Sequence, residues 1–268
     1  MKFSISNIAW SIDQDEKVYS LMKKYGFTGL EIAPNRLIEG QPYDNKELAG
    51  KIAGILKWKY GIVISSMQSI LFGRCERLFG TDLERKELID HLKKAVDFAE
   101  VIGCGNLVFG SPKTRNIEIR KESNYANAVA FFREIGEYAA RHRTVVSMEA
   151  NPAIYGTNFI NRTEEAVKLV QDVNCNGFRL NLDFGTILEN GEDVKSVDSI
   201  LELVNHVHIS EPHLVLIRKR KEHQVLAEIL KRKKYERFIS IEMKKNEQIN
   251  LDKIEEILYY IADVFGGN

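Results

Sequence analysis

Eight short apolar runs along the chain are strand-like, several of them with alternating apolar and polar positions, and apolar positions recur at helical spacing between the runs. A period of two is typical of strands, and recurrence every three to four residues is typical of amphipathic helices. The strand-like segments are residues 2–8, 28–32, 61–68, 105–110, 144–149, 178–183, 204–209 and 237–242. The helical segments are residues 15–25, 46–59, 82–102, 120–142, 163–173, 194–202, 222–233 and 250–265. The pattern therefore predicts a repeated strand–helix unit.

Eight strands that alternate with eight helices predict an α/β fold, a single (β/α)8 TIM barrel with a closed parallel sheet. No linker rich in glycine, serine or proline divides the chain, so we expect one domain over residues 1–268. The alternative is an open, doubly wound sheet. That fold commonly has a glycine-rich phosphate turn after its first strand, and this sequence has none.

Polar residues suited to metal binding end four successive strand-like segments. They are Glu149, Asp183, His208 and Glu242, spaced 34, 25 and 34 residues apart, which is about one strand–helix unit each. All four lie on the strand face opposite the apolar residues, so we expect them to point into the barrel at the end where barrel active sites lie. Three carboxylates would repel one another there without a cation. The set therefore predicts one divalent ion, Mn, Mg, Co or Zn.

The composition of the chain argues against nucleic acid and membranes as binding partners. The chain has 38 basic and 38 acidic residues, so its net charge offers no general attraction for nucleic acid or an anionic membrane. No apolar stretch approaches the roughly 20 residues that span a bilayer, and the N-terminal segment becomes acidic before a signal-peptide core could form. Cys75, Cys104 and Cys175 are widely spaced and odd in number, which favours reduced thiols in a cytoplasmic protein.

The order Glu, Asp, His, Glu at the ends of strands five to eight resembles the xylose-isomerase-like barrel superfamily of sugar and sugar-phosphate isomerases and epimerases. The resemblance spans nearly the whole chain. The segments that carry it are GFTGLEIAP (26–34), SSMQSILFG (65–73), LFG (78–80), GCGNLVFGSP (103–112), EANP (149–152), HVHISEP (206–212) and YERFISIEM (235–243). It implies metal ligation by the same four residues.

The resemblance also implies a catalytic pair. In the epimerases of this superfamily the first and last Glu, here Glu149 and Glu242, act as acid and base on opposite sides of the substrate. A divalent ion chelated by a carbonyl and a neighbouring hydroxyl acidifies the adjacent C–H and stabilises an enediolate. One carboxylate then removes a proton and the other returns it, which gives epimerisation or isomerisation of a sugar or sugar phosphate.

Three positions depart from the pattern of the sugar epimerases. Thr186 stands where they commonly carry a substrate-contacting His, and Tyr155 stands where they often carry a second Glu. The Arg that commonly follows the His motif is also absent from SEPHLVL. These departures argue against a ketohexose epimerase of the best-known kind, and we expect the substrate to be another polyol, a keto-acid sugar or a phosphorylated sugar.

Five further residues at or just beyond strand ends are candidate substrate contacts: Glu31, Gln68, Glu211, His213 and Lys244. Glu31 and Gln68 share the inward phase of their strands. Lys244 could meet a carboxylate or phosphate, although a solvated loop lysine fits the sequence equally well. Self-association into a homo-oligomer stays open.

Barrels of the same superfamily have other functions, which are alternatives to an isomerase or epimerase. A metal-dependent dehydratase or lyase that acts on an inosose or dehydroshikimate needs the same ion and a related intermediate. A non-catalytic sugar-binding barrel would be expected to lack one or more ligands, and all four are present. An apurinic endonuclease of this superfamily needs many more histidines than the six found here.

Overall fold

The computed structural model describes residues 1–267 of the chain. Eight parallel strands pair in sequence order, and the last returns to pair with the first, which closes the barrel and excludes the open sheet. The strands are β1 Lys2–Ser6, β2 Phe27–Ile32, β3 Val63–Met67, β4 Leu107–Phe109, β5 Val146–Glu149, β6 Phe178–Asp183, β7 Val204–Ser210 and β8 Phe238–Glu242. The sequence prediction of a (β/α)8 barrel is confirmed.

The helices surround the sheet. They are α1 Asp15–Lys24, α2 Pro34–Leu37, α3 Lys46–Tyr60, α4 Asp82–Ile102, α5 Ser123–Arg141, α6 Thr163–Val173, α7 Phe184–Glu189, α8 Val197–Ile200, α9 Lys221–Arg232 and α10 Leu251–Gly266. The helix predicted over 194–202 is instead a short α8 between two 3-10 turns. Ser196, Asp198 and Ser199 have weak helix propensity, which accounts for the broken segment.

Helix starts follow local sequence chemistry. The Thr81 hydroxyl accepts a hydrogen bond from Glu84 N, and the Glu84 carboxylate accepts one from Thr81 N, so α4 begins at a capping box. Asn250 caps α10 by accepting from Lys253 N. Within residues 1–267, none of the helices is both long and apolar enough to cross a membrane.

The core lies between strands and helices, and the inside of the barrel is polar. Outward-facing side chains such as Leu180 and Ile241 are fully buried against the helices. Inside, the hydroxyls of Ser4 and Ser65 lie 2.6 Å apart, and Asn106 donates to Ser66 at 2.9 Å. Small polar side chains thus fill the interior of the barrel, and larger polar side chains lie at its C-terminal end.

Candidate active site

Four polar side chains converge at the C-terminal mouth of the barrel. Glu149, Asp183 and Glu242 are the last residues of β5, β6 and β8, and His208 lies two residues before the end of β7. One possible ligand atom from each lies within 4.8 Å of the others. His208 Nδ1 is 2.8 Å from Glu149 Oε1 and 3.1 Å from Glu242 Oε2. The structure thus brings together all four predicted ligands.

The charges in this cluster favour a cation. Burial raises the pKa of Glu242 to about 7, and burial together with Glu149 raises the pKa of Asp183. Burial opposes the charged form of His208, but Glu31, Glu242 and Glu149 outweigh it and raise its pKa well above the ordinary value. A divalent ion would replace the proton on Nδ1 and favour the ionised carboxylates, so the donor set fits the metal that the sequence predicts.

The far side of His208 is held by Glu31. His208 Nε2 lies 2.8 Å from Glu31 Oε2, and both side chains are completely buried. An ionised carboxylate can only accept, so Nε2 carries the proton and Nδ1 faces the cluster. Burial opposes the charge on Glu31, but His208 and His206 outweigh it and lower the pKa of Glu31. Carboxylate–histidine pairs of this kind orient metal-binding imidazoles in other proteins.

Asp183 is fixed by its own helix. Its Oδ2 accepts from Thr186 N at 2.7 Å and from Thr186 Oγ1 at 2.8 Å, and its Oδ1 accepts from the hydroxyl of Ser210. The Ser210 hydroxyl in turn accepts from Gly185 N at 2.8 Å. Thr186, the first departure from the epimerase pattern, is buried and orients a candidate ligand.

Glu149 is oriented by two asparagines that the sequence analysis did not assign to the site. Asn181 Nδ2 donates to Glu149 Oε1 at 2.8 Å, and Asn151 Nδ2 donates to Oε2 at 3.2 Å. Gly110 lies opposite, where an added Cβ would be 2.5 Å from Oε2. Asn181 lies in phase with Asp183 on β6, and this phase was the signal that could have identified it.

A cavity of about 330 Å³ opens above the three carboxylates. Its polar lining comes from Gln68, Ser69, Ser111, Asn151 and Tyr155. Its apolar lining comes from the segment 70–72 and from Val108, Pro112 and Leu214. Of all the lining residues within 1–267, none is a lysine or an arginine.

Of the five predicted substrate contacts, Gln68 lines the cavity. Glu31 lies beneath His208, and Glu211 is 2% exposed with both oxygens paired to Arg220, at 2.7 Å from Nε and 2.5 Å from Nη2. His213 and Lys244 are exposed and lie outside the cavity lining. The structure therefore does not place these four at the cavity. Glu211 differs from the prediction because Arg220, nine residues later, folds back onto it.

Tyr155, the second departure from the epimerase pattern, reaches the cavity. Its hydroxyl oxygen accepts a hydrogen bond from the backbone N of His213 at 2.7 Å. His213 itself has a left-handed backbone, with φ of 61°. The loop after β7 therefore holds the Tyr155 ring at the cavity wall.

Comparison with known proteins places the chain among barrels of one family. The family model described as xylose isomerase-like TIM barrel matches residues 19–260. No curated protein matches the sequence.

Solved structures share the fold at low identity. D-psicose 3-epimerase from Clostridium cellulolyticum H10, solved with D-tagatose, has a TM-score of 0.80 at 15% identity over 99% of each chain. The IOLI protein with a bound zinc atom has a TM-score of 0.73 at 15% identity over 99% of this chain and 98% of that one. A probable 3-DHS dehydratase, AsbF from Bacillus anthracis, has a TM-score of 0.68 at 17% identity over 100% of each chain. The chain belongs to the xylose isomerase-like TIM barrel family.

Proposed function

We propose that the protein is a divalent-metal-dependent isomerase or epimerase of a sugar. The observation that carries the proposal is the placement of Glu149 and Glu242. Both carboxylates line the cavity, and both lie within about a hydrogen-bond length of the same atom, His208 Nδ1, which they approach from β5 and β8. Both carboxylates, which are also candidate metal ligands, thus face the space in which one substrate molecule would bind.

Glu149, Asp183, His208 and Glu242 would hold the ion. When bound, a divalent cation supplies Lewis-acid polarisation of a substrate carbonyl, which acidifies the neighbouring C–H. Glu149 or Glu242 takes that proton, and the other carboxylate returns a proton to the opposite face or to the adjacent carbon. Asn151 and Asn181 hold the Glu149 carboxylate during this exchange, and Ile70 and Leu71, both buried, make one wall of the cavity apolar.

The cavity favours an uncharged substrate. Phosphate and carboxylate groups are usually bound by arginine, lysine or a helix N-terminus, and the lining described above offers neither cationic side chain. Hydroxyl groups can pair with Gln68, Ser111 and Tyr155 instead. We therefore favour a neutral keto-sugar or polyol over a sugar phosphate, and we favour proton transfer over dehydration of a carboxylate such as dehydroshikimate.

Cellular location and assembly belong to the same proposal. Cys75, Cys104 and Cys175 are all free thiols, and Cys104 is buried. Free thiols are typical of a reducing compartment, so we propose a cytoplasmic enzyme. Light scattering would measure whether the protein self-associates into a homo-oligomer.

The test is an NMR experiment in deuterated water on protein loaded with Mn, Mg, Co or Zn. The panel contains neutral ketoses, sugar phosphates, cyclitols and dehydroshikimate, with product analysis after removal of the metal. We expect deuterium at one substrate carbon together with an epimer or isomer of a neutral sugar. Loss of water would identify a dehydratase instead. Absence of both exchange and turnover in protein that holds a stoichiometric metal and binds a sugar would indicate a non-catalytic binding barrel.

A further inference from the structure

Arg115 is a buried cation next to the candidate site. It ends a 3-10 turn, Lys113–Arg115, in the loop between β4 and α5, and it is 0% exposed. No carboxylate within residues 1–267 forms an ion pair with it at 4.0 Å or less. A guanidinium without a paired carboxylate in a protein interior is costly and uncommon. Because burial of this charge does not favour stability, Arg115 is a candidate for a functional role.

The guanidinium contacts the end of β5 and the residues that follow it. Nη1 donates to the backbone oxygen of Glu149 at 2.7 Å, and Nη2 donates to Asn151 Oδ1 at 2.6 Å. Because Arg115 can only donate, it requires the oxygen of the Asn151 amide to face it. The Nδ2 group of Asn151 must then point the other way, where it donates to Glu149 Oε2.

The positive charge of Arg115 also favours this orientation of Asn151 and Glu149. Burial lowers the pKa of Arg115 to about 10, which still leaves it ionised at neutral pH, and Glu149 opposes that lowering. The Glu149 carboxylate therefore lies near a side chain that is cationic at neutral pH and does not line the cavity. Arg115 also lies 3.0 Å from the sulfur of Met148, but the partners that connect it to the site are Glu149 and Asn151.

We propose that Arg115 is a positioning residue, which fixes the Glu149 carboxylate through Asn151 and the Glu149 backbone for metal binding and proton transfer. The part that concerns proton transfer rests on the proposed function. The part that concerns metal affinity can be measured without any substrate. A purely structural Arg115 would instead hold the 110–117 loop and leave the metal site unchanged.

The experiment compares Arg115→Lys, Asn151→Leu and the double variant with wild type. Arg115→Lys keeps a positive charge but cannot donate from two fixed nitrogens to two acceptors. Arg133→Lys is the matched control, because Arg133 donates to the backbone oxygens of Val173 and Asp172, both at 3.0 Å, away from the site. Circular dichroism and thermal melting establish that each variant is folded. Should Arg115→Lys fail to fold, Asn151→Leu tests the Asn151–Glu149 part of this link alone.

Affinity for Mn alone is measured by titration calorimetry, and the coordination of Co by its visible absorption spectrum. We expect Arg115→Lys and Asn151→Leu each to weaken Mn binding by roughly 10- to 100-fold and to alter the Co spectrum. The double variant should be little worse than either single one, because both act on the same carboxylate. With an identified substrate, kcat should fall while KM stays near the wild-type value.

Wild-type Mn affinity and an unchanged Co spectrum in folded Arg115→Lys and Asn151→Leu would overturn the inference and leave the proposed function intact. An equal loss in Arg133→Lys would overturn it too, since the effect would then be general destabilisation. A wild-type protein that binds neither Mn nor Co would contradict the proposed function itself.

Discussion

His208 Nε2 donates to Glu31 Oε2 over 2.8 Å, and neither side chain is exposed. This bond joins β2 to β7 across the interior of the barrel, and His206 of β7 lies 3.5 Å from the same carboxylate oxygen. It determines which imidazole nitrogen faces the three carboxylates, and it places a negative charge behind the ring. Glu31 was expected to contact substrate, but its position supports a role in holding the imidazole of His208, a candidate metal ligand.

Glu31→Gln should therefore weaken metal binding. The amide oxygen can still accept from Nε2, but the charge that makes the imidazole a stronger ligand is lost, so we expect a decrease of roughly 10- to 100-fold in Mn affinity. Titration calorimetry measures it, with Glu47→Gln as the control because Glu47 is on the exposed surface of α3. Equal affinities in wild type and Glu31→Gln would mean that Glu31 does not support His208.

Metal should also stabilise the fold through the same four residues. An ion that binds only the native state at 100 times its Kd adds about 2.7 kcal/mol to the free energy of unfolding. Added Mn should raise the melting temperature of the wild type, and a chelator should reverse the rise. Asp183→Ala should lose most of this response. If the variant responds as the wild type does, the ion is bound elsewhere.

Gly110 leaves room for the Glu149 carboxylate. In Gly110→Ala the new Cβ would lie 2.5 Å from Oε2 and 3.4 Å from Cδ, so the carboxylate must move. We expect kcat to fall by at least about 10²-fold, the usual contribution of a positioned acid or base. Gly54→Ala in α3 is the matched control, since nothing lies within 4 Å of its added Cβ. It should stabilise the protein by about 0.5–1 kcal/mol and leave activity unchanged. Near wild-type kcat in Gly110→Ala would show that Glu149 tolerates displacement.

The fold was predictable because it repeats a simple local pattern. In FRLNLD, for example, Leu180 and Leu182 alternate with Asn181 and Asp183, and the structure buries the first pair against helices and turns the second pair inward. The four candidate ligands follow from that phase together with their place at strand ends. The segment 194–202 was less predictable, because weak propensities let tertiary packing select short turns.

The supporting residues of the site were harder to predict, because loops bring them together from distant positions. Arg115 is 34 residues before Glu149, and nothing in the local pattern around it marks a buried cation. Glu211 is an example of a residue that was assigned to the site but is bound elsewhere. Its position directly after β7 suggested a substrate contact, but its carboxylate forms an ion pair with Arg220. The alternation along a strand predicts whether a side chain points into the barrel or towards the helices. It does not predict which loop residue contacts a given carboxylate.

His223 should make the protein less stable in mild acid. It is completely buried in α9, its Nδ1 lies 3.0 Å from the hydroxyl of Tyr260, and burial lowers its pKa to about 4. The unfolded chain protonates this histidine near its ordinary pKa of about 6.5, so below that pH the unfolded state binds more protons. The stabilisation is complete above about pH 6.5 and is lost as pH falls towards 4.

The loss amounts to about 3 kcal/mol over that range. Urea unfolding of wild type and His223→Gln at pH 7 and pH 4.5 isolates it, because all other titrating groups are shared by the two proteins. The wild type should lose more stability than the variant between the two pH values. Parallel losses would show that His223 does not titrate differently in the folded and unfolded states.

Glu149 and Glu242 should each be needed for proton transfer. They end β5 and β8 and meet at the cavity, so each can reach the substrate from its own side. Glu149→Gln and Glu242→Gln keep the size of the side chain and one oxygen ligand, so weakened metal binding should survive. We expect kcat to fall by at least about 10²-fold in each variant.

The two variants need not behave alike in deuterated water. Replacement of the carboxylate that removes the first proton should abolish exchange at the substrate C–H, whereas replacement of its partner should leave exchange intact and block product formation. The difference assigns the two roles, because only the first base is needed to form the carbanion-like state. A variant that holds metal and turns over the substrate at the wild-type rate would show that its Glu serves as a ligand only.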